Sequence, residues 1–214
     1  MDRQKGYGGR SGRRGYHHGN LREALINAAL GLISEKGTAG FTFADAARAA
    51  GVSAAAPYRH FRDRDALMAD VAQRGFEQLE GDLALAAAKG DQSPVAVIDR
   101  IARAYLDFTR REPAQFSAMF ESGQVFTENS DVRLASDRVF NVMLDACKTL
   151  VETQPADQRA PAMMIALHIN ALTHGVASLF ARGDESRRPI PMPPEQLLEA
   201  GILVYLEGLG INAD

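Results

Sequence analysis

Apolar residues in this chain recur three and four positions apart almost from end to end and nowhere alternate every second residue, so the pattern predicts helices and no strand. Leu21, Leu25, Ala29 and Leu32 form the first stripe, opened by an Asn20 cap with Glu23 three residues on and closed at Gly37. Thr42 with Asp45 then makes a capping box for a short helix that Gly51 ends. Ser53 caps a second short helix carrying Tyr58, Arg59 and His60, and Asp63 caps a third. Phe41, Phe43, Val52 and Phe61 are the centre of a small three-helix core.

The third helix is long. From Asp65 it places Leu67, Met68, Val71, Leu79 and Leu83 inward and runs to Lys89, joining the small unit to the rest without a linker. Ser93-Pro94 reads as a cap and first-turn proline opening a helix with Ile98, Ile101, Tyr105 and Phe108, which stops at Glu112-Pro113. A short helix with Phe116, Met119 and Phe120 follows, then a polar loop over 122–130 and a helix over 131–152. The segment 161–182 is apolar nearly all round and predicts a helix buried on both sides. After a proline-rich loop, Leu198, Ile202, Tyr205 and Leu209 stripe the last helix.

The 214 residues, 46% of them hydrophobic, suffice for a small domain and one of ordinary size. Charge divides the two. Residues 1–74 hold 12 Lys and Arg against 7 Asp and Glu, and the remaining 140 hold 12 against 20, so a head of +5 joins a body of −8. A basic head on an acidic body implies that only the head meets a polyanion. One cysteine, Cys147, leaves no intramolecular disulfide and no thiol cluster for a metal. No apolar run reaches the ~20 residues of a membrane span, and the basic, glycine-rich residues 1–19 lack the apolar core of a signal peptide. The expected location is cytoplasmic, with no membrane partner.

Helix, glycine turn and a second helix bearing Tyr58, Arg59 and His60 is the sequence form of a helix-turn-helix. Gly51-Val52-Ser53, Tyr58-Arg59-His60-Phe61 and Arg64-Asp65-x-Leu67, preceded by Tyr16-His17-His18-Gly19-Asn20-Leu21-Arg22, resemble the tetracycline-repressor (TetR) family over residues 16–80. Thr173-His174-Gly175 is similar to the Trp-His-Gly element of one TetR subgroup; the chain has no Trp, and Asn170 stands about where it would be. The resemblance implies an all-α protein: a flexible basic arm (1–19), a homeodomain-like helix-turn-helix head (20–64) and a helical-bundle body for ligand binding and dimerisation (65–214). It also implies a repressor released from double-stranded operator DNA by a small-molecule effector. A DNA-binding protein without effector is the alternative.

For DNA, the candidates are Arg14, Tyr16 and His17 in the arm, then Thr42, Ser53, Ala54, Ala55, Tyr58, Arg59, His60 and Arg64 in the head. The alanines offer only methyl groups, so Arg59 is the candidate for base readout, while Tyr58, His60 and Arg64 suit phosphates. For the effector, the Phe- and Met-rich body offers Phe116, Phe120 and Met143, with Asn170 and His174 four apart on one helix face. For a two-fold dimer, the last two long helices offer Gly175, Leu179, Leu198, Gly201, Ile202 and Tyr205. Phosphate-loop, Gly-x-Ser-x-Gly and His-x-x-x-His spacings are absent, so the expectation is no enzyme, no cofactor and no metal.

Overall fold

The computed structural model of the protein describes residues 21–122, 130–180 and 190–211. Among these the secondary structure is helical: α1 Leu21–Lys36, α2 Phe43–Ala49, a 3₁₀ turn Pro57–Arg59, α3 Arg64–Ala87, α4 Pro94–Arg111, α5 Pro113–Phe120, α6 Ser130–Glu152, a second 3₁₀ turn Ala156–Gln158, α7 Ala162–Phe180 and α8 Pro194–Gly208.

The caps explain the head. Thr42 Oγ1 accepts from the Asp45 N–H at 3.2 Å, and the Asp45 carboxylate accepts in return from the Thr42 N–H at 2.9 Å, which completes the capping box of α2. Gly51, at φ 71°, turns the chain where a side chain would be strained. Asp63 then accepts from the Ala66 N–H at 2.8 Å and starts α3. The expected cap of α1, Asn20, lies outside the described residues.

Two local expectations are corrected. Ser53 does not open an α-helix: the segment forms only the turn Pro57–Arg59. Pro57 has no N–H to give the Ser53 carbonyl, which accepts from Ala56 instead at 3.0 Å, while the buried proline ring plugs the head core. Ser93 does not cap α4 with its side chain either, because its hydroxyl donates to Asp91 at 2.9 Å.

Helix α3 is the spine. It packs against α1 in the head and against α4, α5 and α6 in the body, and its buried residues run from Leu67 to Leu83. Two ion-pair sets tie it to α1: Arg74 grips both Glu23 oxygens at 2.6 Å, and Arg22 pairs with Asp70. The hydrogen bonds from Arg74 hold the Glu23 carboxyl below its ordinary range. One core then continues from Leu25 in the head to Ile211 at the far end.

Helix α7 departs from the expectation of burial on both sides. It is long and apolar enough by composition to cross a membrane, yet it packs against α4, α6 and α8 through Ile165, Ile169, Thr173 and Val176. Its other face leaves Met163, Leu167 and Leu179 about half exposed, and on α8 beside it Val204 is 69% exposed.

Candidate DNA-reading head and body ring cluster

The reading turn presents three consecutive exposed side chains, Tyr58, Arg59 and His60, because a single 3₁₀ turn rooted by Pro57 and Phe61 has no second turn to hide them. The Tyr58 ring stands edge-on against Phe43 of α2, with centroids 5.1 Å apart at 87°. Arg59 and His60 make no hydrogen bond or ion pair through their side chains with the described residues. Ser53, Ala54 and Ala55 are exposed on the approach to the turn. The Thr42 hydroxyl serves the cap.

Arg64, expected at a phosphate, is engaged inside the head. Its Nε donates to the Phe41 carbonyl at 3.0 Å, another guanidinium nitrogen donates to the Thr38 carbonyl, and the guanidinium lies 4.6 Å over the Phe41 ring. With these two nitrogens it braces the α1–α2 loop, while the third lies 3.5 Å from the exposed Asp65 carboxylate. The head also turns Arg48 and Arg62 to solvent, two cations that motif reasoning passed over. Each leans on a neighbouring acid, Asp45 and Asp63, which a local acid–base spacing would have revealed. Arg14, Tyr16 and His17 lie outside the described residues.

In the body the structure brings Phe116, Phe120 and His174 together, as expected, and adds two rings. Phe116 and Phe120 of α5 lie 5.0 Å apart, His174 of α7 stands 4.7 Å from Phe120 and 5.7 Å from Phe116, and Phe76 of α3 meets Phe120 edge-on at 5.4 Å. The second addition is Tyr105 of α4, whose hydroxyl lies 2.9 Å from His174 Nδ1. Ser178 Oγ is 3.3 Å from His174 Nε2, so each imidazole nitrogen has a hydroxyl partner. Burial lowers the His174 pKa, leaving a neutral ring with one nitrogen donating and the other accepting. Burial likewise raises the Tyr105 pKa. Asn170 is half-buried one turn before His174, and Met143 lies in the general core on α6.

The expected dimer residues divide. Leu198 and Ile202 are 1% and 2% exposed inside the chain's own core, because α8 turns them toward α4 and α7; they are not available to a second copy. Gly201 faces inward too: a Cβ there would lie 2.8 Å from the Leu172 side chain. Tyr205 is half-buried and its hydroxyl meets His168 Nδ1 at 3.0 Å. Gly175 and Leu179 are exposed, as are Leu167 and Val204.

Comparison with known proteins fits both halves. Residues 25–71 match the family described as bacterial regulatory proteins, tetR family, and residues 98–205 match the tetracyclin repressor-like C-terminal domain. The chain belongs to the TetR family. It is a DNA-binding transcriptional regulator, a member of a family of repressors typically controlled by effectors. It is similar to the uncharacterized HTH-type transcriptional regulator YobS of Bacillus subtilis (strain 168), 24% identical over 199 residues that make up 91% of this chain and 95% of YobS. Among solved structures it resembles a protein with unknown function from Rhodococcus sp. RHA1, at 28% identity and TM-score 0.76, covering 92% of this chain and 98% of that one. It also shares the fold of the TetR family transcriptional regulator PfmR from Thermus thermophilus, at 18% identity and TM-score 0.65, covering 89% and 98%.

Proposed function

We propose that this regulator binds a near-palindromic operator as a homodimer and leaves it when a small molecule settles among the body rings. In this reading residues 1–19 are a basic arm, 20–64 the reading head and 65–214 the effector and dimer body. Arg59 reads a base edge, while Tyr58 and His60 fix the turn on phosphates. The exposed apolar side chains Met163, Leu167, Leu179 and Val204 pack against their copies across a two-fold axis, which presents two reading turns on one side of the duplex.

One observation carries the switch: α5 touches both the ring cluster and the spine. Phe116 and Phe120, four apart on one of its faces, join the ring cluster, while Gln115 and Met119, also four apart, lie against Gly75 of the spine. A molecule that parts the rings displaces α5, and with it the spine that continues into the head. Only differential affinity for the two arrangements moves the equilibrium, and ~1–3 kcal/mol of coupling is the usual range. The test begins with selection of a binding duplex from a random library and continues with titration of small molecules against the complex. A compound that enters the body and weakens DNA binding supports the reading. Equal DNA affinity with and without a bound compound refutes it.

A further inference from the structure

We infer that the effector is an uncharged, flat aromatic compound with hydrogen-bonding groups along one edge, seated between the α5 rings and a polar stripe on α7. The inference rests on the reading of the body as the effector site and names the chemistry that site selects.

Three observations converge. The first is the rings. Phe116, Phe120, Tyr105 and His174 meet in tilted and edge-on pairs with centroids 4.7 to 6.4 Å apart, contacts that a planar aromatic ligand can exchange one for one. Tyr105 and Phe116 are buried, whereas Phe120, His174 and Ser178 are only partly so.

The second is the stripe. Asn170, His174 and Ser178 recur every four residues along a mostly apolar helix and therefore share a face. Asn170 makes no side-chain hydrogen bond with the described residues, although its amide can both donate and accept. Ser178 holds only the longer of the two His174 contacts. A half-buried row of donors and acceptors with one idle member matches hydroxyl or carbonyl groups on a ligand edge.

The third is charge. Among the described residues the hydrogen bonds of Tyr105, His174 and Ser178 run to one another and to no ionised side chain, and the arginines Arg74, Arg103, Arg110 and Arg111 all close onto carboxylates elsewhere. With His174 neutral, a carboxylate or ammonium entering here would lose water and gain no counter-charge from these groups. Two clefts lie elsewhere, and one of about 480 Å³ between α3, α4 and α6 is lined mostly by apolar residues such as Ala84, Val97 and Val142, with no aromatic ring among them. The other, of about 510 Å³ near the start of α4 and the end of α6, carries Asp91, Asp99 and Glu199, the last two already held by Arg103.

The experiment uses the full-length protein and three probes with one ring system: 2-naphthol, 2-naphthoate and 2-naphthylmethylammonium, titrated by calorimetry at neutral pH. We expect 2-naphthol to bind about ten-fold or more tighter than either ion, the penalty expected for an unpaired charge. Asn170→Leu, which breaks no hydrogen bond among the described residues, should weaken naphthol and leave thermal stability unchanged, whereas Ser178→Ala should weaken naphthol and also lower the melting temperature slightly, because it unpairs His174 Nε2. Equal or tighter binding of an ion, or no naphthol binding at millimolar concentration, overturns the inference. Failure of the switch is distinguishable: naphthol that binds without releasing the selected duplex sinks effector release and leaves the ligand class standing. An ion that binds more tightly and releases the duplex does the reverse.

Discussion

Met119 of α5 lies so close to the Cα of Gly75 on α3 that a Cβ at position 75 would stand 2.6 Å from its sulfur. Helix and spine therefore meet backbone to side chain, with no room for either to slide independently. Gly75→Ala should destabilise the protein by ~1–3 kcal/mol through overpacking. Met119→Ala alone should cost ~2–5 kcal/mol by leaving a cavity. The double variant should be less unstable than the two losses added together, since the new methyl fills part of the hole. Urea unfolding of the four proteins gives the coupling, and strict additivity would mean the contact is slack.

Arg59 and Arg64 should separate cleanly. Arg59→Ala removes an exposed side chain that bonds to none of the described residues, so melting is unchanged while the preferred duplex is bound ~1–3 kcal/mol more weakly and scrambled duplexes nearly as before. Arg64→Ala uncovers the Thr38 and Phe41 carbonyls and should lower the melting temperature before DNA is added. If instead Arg64→Ala melts like the parent and binds all DNA less well, the strut assignment fails.

Charge placed on α8 should have two outcomes depending on the residue. Val204→Glu, at a site 69% exposed, should keep the helical circular dichroism and sediment as a monomer. Leu198→Glu, at 1% exposure, should unfold the body outright. A folded, dimeric Val204→Glu protein would move the interface elsewhere.

His174 gives the body a pH dependence with a definite sign. Its folded pKa lies below the ordinary 6.5, so on acidification the unfolded chain takes up the proton first. Stability is therefore full above the unfolded value and declines as pH falls below it, until the folded pKa is reached. His174→Gln should flatten that part of the melting-temperature profile, read at closely spaced pH values between neutral and mildly acidic. An unchanged slope would place the titrating group elsewhere.

Most helices and the caps of α2 and α3 were legible because their signals are local. Thr42 with Asp45, Gly51 and Asp63 act within four residues, and no distant contact overrides them. Pro57 was legible as a constraint, but its effect is larger than the pattern suggests: one missing N–H in so short a segment leaves a single turn instead of a helix. The ring cluster was half legible. Asn170 and His174 share a face by spacing alone, whereas Tyr105 and Phe76 come from helices whose approach only packing decides. Leu198 and Ile202 misled for the same reason, since an apolar stripe states that a face is covered and not whether the chain itself or a copy covers it. Arg64 looks in sequence like any cation at a helix start; its use of carbonyls 23 and 26 positions away is written only in the fold.

The head arrives at DNA carrying its own counterions. Arg48 and Arg62, with side chains 79% and 83% exposed, lean on Asp45 and Asp63, which are themselves occupied in starting α2 and α3. Each arginine that turns to a phosphate must leave a carboxylate that stays behind, so its net gain is smaller than that of a solitary cation. Casual contact with any duplex is thereby discouraged. Arg59 leaves no such partner among the described residues, so in the proposed reading its contact with a base would keep its full contribution. On that proposed reading, discrimination would come from weakening the wrong complexes as much as from strengthening the right one.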